Sequence, residues 1–279
     1  MENTSPNPLA KHFRQPAIYI KLPSGGRFWP ADSLDLPVTG EIPVYPMTAR
    51  DEITLRTPDA LMNGQGVVDV IQSCCPSIKD AWKMPSIDVD AILLNIRIAS
   101  YGNSMDVDTT CPKCQEENNF ALDLSGITGT IGMPDYATPV QFDNLSILLR
   151  PQPYFEINKI NKINFTEQQL LRTVNDSALS DDEKKKQAED FLTRLIDLNI
   201  DICVNSTQSI TTEDGTVVTN PAHIKEFYNL ADYKVVRNIQ DQLKVIGDQA
   251  AIKPVPVVCT ACTNPYTVPL DFDYASFFA

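Results

Sequence analysis

Apolar residues recur along this chain with two periods, and the switches between them outline its elements. From Thr48 the spacing is helical. Thr48 offers a side-chain cap to the turn that follows, with Asp51 and Glu52 at the positive end of the dipole. Thr57-Pro58 gives a second start, closed by Asn63-Gly64, and a third helix is expected from Gln65 or Gly66 to Cys75, before Pro76. Ser86 is expected to cap a fourth over Ile87 to Tyr101, where Val89, Ile92, Leu93, Ile96 and Ala99 share a face until Gly102 ends it.

The period then drops to two. Strand text runs from Val107 to Thr110 and on to Leu124, and Thr138 to Phe142 with Leu145 to Leu149 flank Asp143-Asn144 as a hairpin. Tyr266 to Phe272 alternates in the same way. These strands are expected to form one small antiparallel sheet, with the C-terminal segment as its last edge.

Between them the pattern is mostly helical again. Tyr154 to Ile163 and a separate helix opened by Phe165-Thr166-Glu167 are predicted, the latter ending before Ser177. Ser180-Asp-Asp-Glu183 is a capping box. The helix it opens carries Ala188, Phe191, Leu192, Leu195, Ile196, Leu198 and Ile202, a stripe wide enough to be buried. Ser209 to Thr212 and Thr216 to Thr219 surround the hairpin signal Asp214-Gly215; Asn220-Pro221 starts a short helix to about Asn229. A last amphipathic helix, Ala231 to Gly247, runs through Tyr233, Val236, Ile239, Leu243 and Ile246.

Many of the 21 prolines fall within residues 1–46, so this stretch reads as an extended arm with short strands at Ala17 to Leu22 and Glu41 to Tyr45 around the turn Pro23 to Gly26. The arm is expected to lie along another surface. Phe28 and Trp29 within it suit either core beneath the arm or an anchor on a partner. The fold class is α+β: an arm over 1–46, a helical unit over 47–103, a ribbon-like β domain from 104–150 with 251–279, and a mainly helical insertion over 151–250.

Composition narrows what such a fold does. At 279 residues and 43% hydrophobic the chain can bury a core, but its net charge of −13 argues against a surface that tracks nucleic-acid phosphates. Lys184, Lys185 and Lys186 follow acids and read as a solvated helical face. No apolar run approaches the roughly 20 residues of a membrane span, and the polar N-terminus has no secretory pattern. A reducing cytosol is the expected place of synthesis. Only two histidines, His12 and His223, are present, and no nucleophile elbow, phosphate loop or dinucleotide fingerprint occurs. The expectation is a protein that is not an enzyme.

The cysteines carry the strongest chemical signal. Four of the seven form two Cys-x-x-Cys pairs, Cys111/Cys114 and Cys259/Cys262, each leading into strand text. Thioredoxin-type redox chemistry would need such a pair at a helix start. An odd total in a chain without a secretory signal weighs against a disulfide framework. Four thiolates closing one tetrahedral sphere point to structural Zn2+ rather than catalytic zinc. Because residues 115–258 separate the pairs, that site would fasten the C-terminal segment to the middle of the chain. Cys74, Cys75 and Cys203 lie in apolar helical text and read as packing residues.

A resemblance joins these features. Tyr45-Pro-Met-Thr-Ala-Arg-Asp-Glu-Ile53, Leu55-Arg-Thr-Pro-Asp-Ala-Leu61, Asn63-Gly64, Val70 to Cys74, Asp88 to Leu94, Arg97 to Gly102 and Cys111-Pro-Lys-Cys114 resemble the baseplate proteins of contractile-tailed, T-even-like bacteriophages, of the hub assembly subunit type. The likeness covers about 20–125 and, more loosely, the second cysteine pair with Phe277-Phe278; residues 150–250 lie outside it. It implies a structural or assembly component of the baseplate hub. The implied location is the virion tail after assembly in the host cytoplasm, and the implied partners are other tail and baseplate proteins in a symmetric assembly, with neither nucleic acid nor membrane. A tail assembly chaperone absent from the virion is the first alternative, and a zinc-ribbon regulator that binds nucleic acid, disfavoured by the negative charge, is the second.

Overall fold

The computed structural model describes residues 7–57, 64–176 and 181–270. The predicted helix start at Thr57-Pro58, the Ser180 capping box, and Phe277-Phe278 fall wholly or partly outside them. The fold is α+β, with eight α-helices among the described residues and small antiparallel sheets.

The first core forms around a helix that is apolar on nearly every side. Helices α1 (Ala49–Leu55), α2 (Gln65–Cys74) and α3 (Ser86–Tyr101) follow the predicted order. Thr48 and Asp51 form a reciprocal capping box on α1. In α3, Val89, Ile92, Leu93, Leu94, Ile96 and Ile98 are all buried, so neighbours must cover it all round. Ser86 is not the cap that was expected: Pro85 occupies that position, no side chain caps the helix, and the Ser86 amide instead donates to the Gln152 carbonyl at 2.8 Å.

The N-terminal arm supplies part of that cover. Strand β1 (Ile18–Ile20) pairs antiparallel with β2 (Ile42–Val44), Ile18 opposite Val44 and Ile20 opposite Ile42. Ile20, Leu22, Ile42 and Val44 are buried in the first core. Arg14 donates to the carbonyls of Pro46 at 2.8 Å and Ser73 at 2.7 Å, and pairs with Asp51 at 3.4 Å. The arm therefore lies along its own helical unit through these residues. Its hydrophobic alternation is short, and Ile20, Leu22, Ile42 and Val44 are used at home while Phe13, Tyr19 and Val38 stay exposed.

Within the arm a buried carboxylate fixes the loop. Asp88 of α3 accepts from the Ser24 amide at 2.7 Å, the Ser24 hydroxyl at 2.6 Å and Trp29 Nε1 at 2.8 Å. Trp29 packs against the first core, while Phe28 meets Tyr136 of a second core edge-to-face at 5.4 Å. The two aromatics thus join the cores. Trp82 stacks on Tyr154 at 5.6 Å, at the start of α5 (Tyr154–Asp176).

The second core sits beneath a four-stranded sheet. Strands β5 (Val140–Phe142), β6 (Leu145–Leu149), β7 (Thr207–Thr211) and β8 (Val217–Val218) lie in that order, all antiparallel, with Ile147 opposite Ile210. The Asp143-Asn144 hairpin was expected to join the cysteine-bearing ribbons. It pairs instead with the Asp214-Gly215 hairpin, because Ile147, Leu149 and Ile210 share one apolar face with Tyr228, Val235, Ile239 and Ile246. The last residues come from α7 (Pro221–Leu230), capped by Asn220, and α8 (Tyr233–Ala250), capped by Asp232.

Three helical expectations are corrected. Tyr154 to Asp176 is one helix rather than two. In α6 (Asp181–Ser206) the predicted stripe is not buried: Leu192 and Ile196 are exposed, and only the C-terminal end, at Cys203 and Val204, enters the core. In α8 the buried face is set by Val235, Ile239 and Ile246, leaving Tyr233 exposed. A short helix, α4 (Leu124–Thr128), also replaces the end of a predicted strand; Asp123 caps it through the Ser125 amide. No helix among the described residues is long and apolar enough to cross a membrane.

Burial pushes the Asp88 carboxyl up to about 6, against the opposing pull of its three donors. A raised acid holds its proton in the folded state over a range where the unfolded chain has lost it. The Asp88 contribution is therefore fully present below pH 4 and disappears as pH rises through about 6, a span of about 3 kcal/mol. Denaturant midpoints measured from pH 7 to pH 4 should show wild type gaining stability relative to Asp88→Asn as the pH falls from about 6 to about 4, with little change above 6.

Candidate metal centre

Each Cys-x-x-Cys pair sits at the tip of a two-stranded hairpin. The first lies between β3 (Ser104–Thr110) and β4 (Glu117–Asp123), the second between β9 (Val255–Val258) and β10 (Pro265–Val268). The C-terminal strand was expected to complete a sheet with the middle of the chain. It pairs with β9 instead, a strand absent from the sequence expectation because Pro256 and two flanking valines read poorly as either period. The two ribbons meet through Phe120 and Tyr266, whose rings stand 6.4 Å apart edge-to-face.

The tips repeat one backbone design. The Cys111 amide donates to the Glu116 carbonyl and the Gln115 amide to the Cys111 carbonyl, both at 2.9 Å. In the second tip the Cys259 amide donates to Asn264 and the Thr263 amide to Cys259, both at 3.0 Å. Gln115 at φ 61° and Thr263 at φ 55° occupy the left-handed region at the residue after the second cysteine. That single left-handed residue turns the chain so that both sulfurs of a pair face the same way.

The two tips face each other and bring four sulfurs together. Cys111 Sγ lies 3.7 Å from Cys262 Sγ, and Cys114 Sγ lies 3.6 Å from Cys259 Sγ. All four lie within 4.8 Å of one another. Four thiolates bonded at about 2.3 Å around a tetrahedral ion stand about 3.8 Å apart, so the cluster fits such an ion with little movement. An all-sulfur set favours zinc or iron over hard cations, and four protein ligands leave no open position for substrate. No pair of these cysteines is joined by a disulfide.

Backbone amides favour the thiolate at Cys259, whereas at Cys114 the pull of the Glu116 amide is outweighed by the neighbouring sulfurs, Cys262 foremost, which push that thiol up to about 12. The amide of Cys262 foremost, then that of Ala261, holds the Cys259 thiol down to about 6 despite its burial. Asn118, buried at the start of β4, spans the two ribbons. Its Oδ1 accepts from the Thr260 amide at 2.9 Å and hydroxyl at 2.8 Å, while Nδ2 donates to the Glu116 carbonyl at 3.0 Å and approaches Cys259 Sγ at 3.7 Å. This residue orients a sulfur ligand from the opposite ribbon. Nothing in its neighbourhood of the sequence marks it, apart from being a polar residue four positions past a cysteine pair.

The remaining candidate residues are placed elsewhere. Cys74, Cys75 and Cys203 are buried packing residues; burial pushes the Cys74 thiol up to about 12 and the Cys203 thiol to about 11, and raises Cys75 as well. His12 and His223 are exposed and take no part in the cluster. Asp88 is the buried anchor described above.

With this geometry in hand, comparison with known proteins gives one family. The model of the family described as T4 bacteriophage base plate protein matches residues 17–279, and the chain belongs to that family. The match includes 150–250, the stretch that the resemblance left out. No curated protein and no solved structure matches the chain.

Asn118→Ala removes the acceptor of two Thr260 bonds and one of the two donors to the Glu116 carbonyl, which keeps the Cys111 amide. It should lower unfolding stability by about 1–3 kcal/mol, measured by denaturant titration, while far-ultraviolet circular dichroism of the folded state stays unchanged.

Proposed function

We propose that this base plate protein is a structural component of the hub region of a contractile phage tail, holding neighbouring tail subunits, and that Cys111, Cys114, Cys259 and Cys262 bind one structural zinc ion. The family match supports the baseplate role. The observation that carries the metal reading is the meeting of two like cysteine tips at sulfur separations suited to one tetrahedral ion. Zinc there would supply binding free energy that becomes folding free energy. The residues do the rest: the left-handed turns aim the sulfurs, the amides favour the thiolate at Cys259, and Asn118 ties one ribbon to the other.

The role assigned to zinc is the fastening of residues 255–268 onto residues 104–123, which sets the surface offered to neighbouring subunits. The four-sulfur sphere has no place for substrate, and no other cluster of metal-ligating residues occurs among the described residues. The particle is proposed to assemble in the host cytoplasm and to keep the protein in its tail.

Elemental analysis of the purified chain should find about one zinc per molecule, with Cys259→Ser losing it. That variant should also lose thermal stability while keeping the helical signal of the first core. Zinc-free native protein of full stability would overturn the metal reading. Deleting the gene should leave filled heads without complete tails, seen by electron microscopy of lysates; normal tails in its absence would overturn the baseplate reading.

A further inference from the structure

A groove of about 600 Å³ opens where the arm, the start of α3 and the end of β6 converge. It shares no residue with the four-cysteine cluster. We propose that this groove docks an extended acidic segment of a protein partner, one carrying an aromatic side chain beside its carboxylates.

Charge is the first argument. The chain holds 36 acidic residues against 23 basic ones, yet Arg27, Lys83 and Arg150 line the groove and no carboxylate does. Asp80 pairs with Lys83 at 2.9 Å. Asp135, held below the usual carboxylate range chiefly by the Thr138 hydroxyl, also feels Arg27. Arg150 has no ion pair among the described residues.

The arginines are also prepared. Arg150 Nε donates to the Asn205 carbonyl at 2.9 Å, and Arg27 Nε to the Ser24 carbonyl at 3.3 Å. Each bond pins the guanidinium by its inner nitrogen and leaves the two terminal nitrogens to meet a carboxylate as a fork. A planar group already held in place loses less entropy on binding.

The remaining lining is apolar and poor in donors. Pro30 and Pro153 have no amide hydrogen and offer hydrocarbon faces, with the buried Pro85 and Pro151 behind them. Phe28 lies beneath the Arg27 guanidinium at 5.6 Å, and Phe155 is 43% exposed on the wall. An aromatic side chain between prolines and Phe155 would bury this surface while its neighbouring carboxylates reach the arginines. Nucleic acid is disfavoured as the occupant. Its charges continue along the strand beyond the groove, over a surface that is strongly negative, whereas a peptide confines its charge to the basic patch.

The test uses the full chain and, as a probe with the chemistry proposed for the partner, a synthetic peptide with the sequence of residues 270–279, in which Asp271 and Asp273 alternate with Phe272 and Tyr274. Calorimetry should show saturable binding. Arg150→Gln and a peptide with both aspartates changed to asparagine should each weaken it by about tenfold or more, as loss of a bidentate charged pair does. Phe155→Ser, at an exposed site, should weaken it with the unfolding midpoint unchanged. No binding, equal binding of the asparagine peptide, or displacement of the peptide by inorganic phosphate irrespective of Phe155 would each overturn the proposal. Tighter binding of an oligothymidylate than of the peptide would overturn it as well. These outcomes depend neither on zinc content nor on the deletion phenotype.

Discussion

The constraint on which this structure depends is the return of a long chain segment to its starting point. Residues 115–258 leave one ribbon and must come back beside it, so that Cys259 and Cys262 meet Cys111 and Cys114. Closing such an interval costs entropy that grows only slowly with its length, and here the interval does not wander. It folds into the four-stranded sheet and helices of the second core, whose exit lies close to its entrance. The C-terminal end of α8 is tied there directly, since Gln249 accepts from the Gly132 amide through its carbonyl and from the Asp135 amide through its side chain. Ile252, Val255 and Leu270 then pack against the first core. The four sulfurs complete a convergence that backbone bonds and apolar contacts have already brought about.

What could be foreseen followed from how local its cause was. The cysteine tips were legible because Cys-x-x-Cys is a contiguous signal whose chemistry tolerates few alternatives. Helix starts at Thr48 and Asn220 were legible for the same reason, as caps act within three residues. Strand partners were not. Nothing in Leu145 to Leu149 says whether it will pair with a ribbon or with Thr207 to Thr211, because that choice rests on apolar faces assembled from four separate segments. The stripe on α6 failed differently: periodicity reports which side of a helix is apolar, while burial needs a covering neighbour, and Leu192 and Ile196 stay more than half exposed. Asp88 did carry a signal. A carboxylate amid Val89, Ala91, Ile92, Leu93 and Leu94, in a helix apolar all round, demands donors from elsewhere, and Ser24 and Trp29 provide them.

The arm both covers the core and leaves surface free: β1, β2, Arg14 and Trp29 are engaged within the chain, while Phe13, Tyr19 and Val38 are exposed and Arg27, Phe28 and Pro30 line the basic groove. A molecule with a charge of −13 that gathers cations at one concave place separates general repulsion from local attraction, a useful property in a crowded assembly.

The placement of the two tryptophans has an optical corollary. Trp29 reports the hydrogen bond between the arm and Asp88, and Trp82 reports the seam where α5 begins, so both indoles watch the first core and its border. The cysteine ribbons contain Phe120 and Tyr266 but no indole. Emission excited at the red edge of tryptophan absorption is therefore blind to the ribbons and sensitive to the arm, so it follows the first core without a contribution from the cysteine tips.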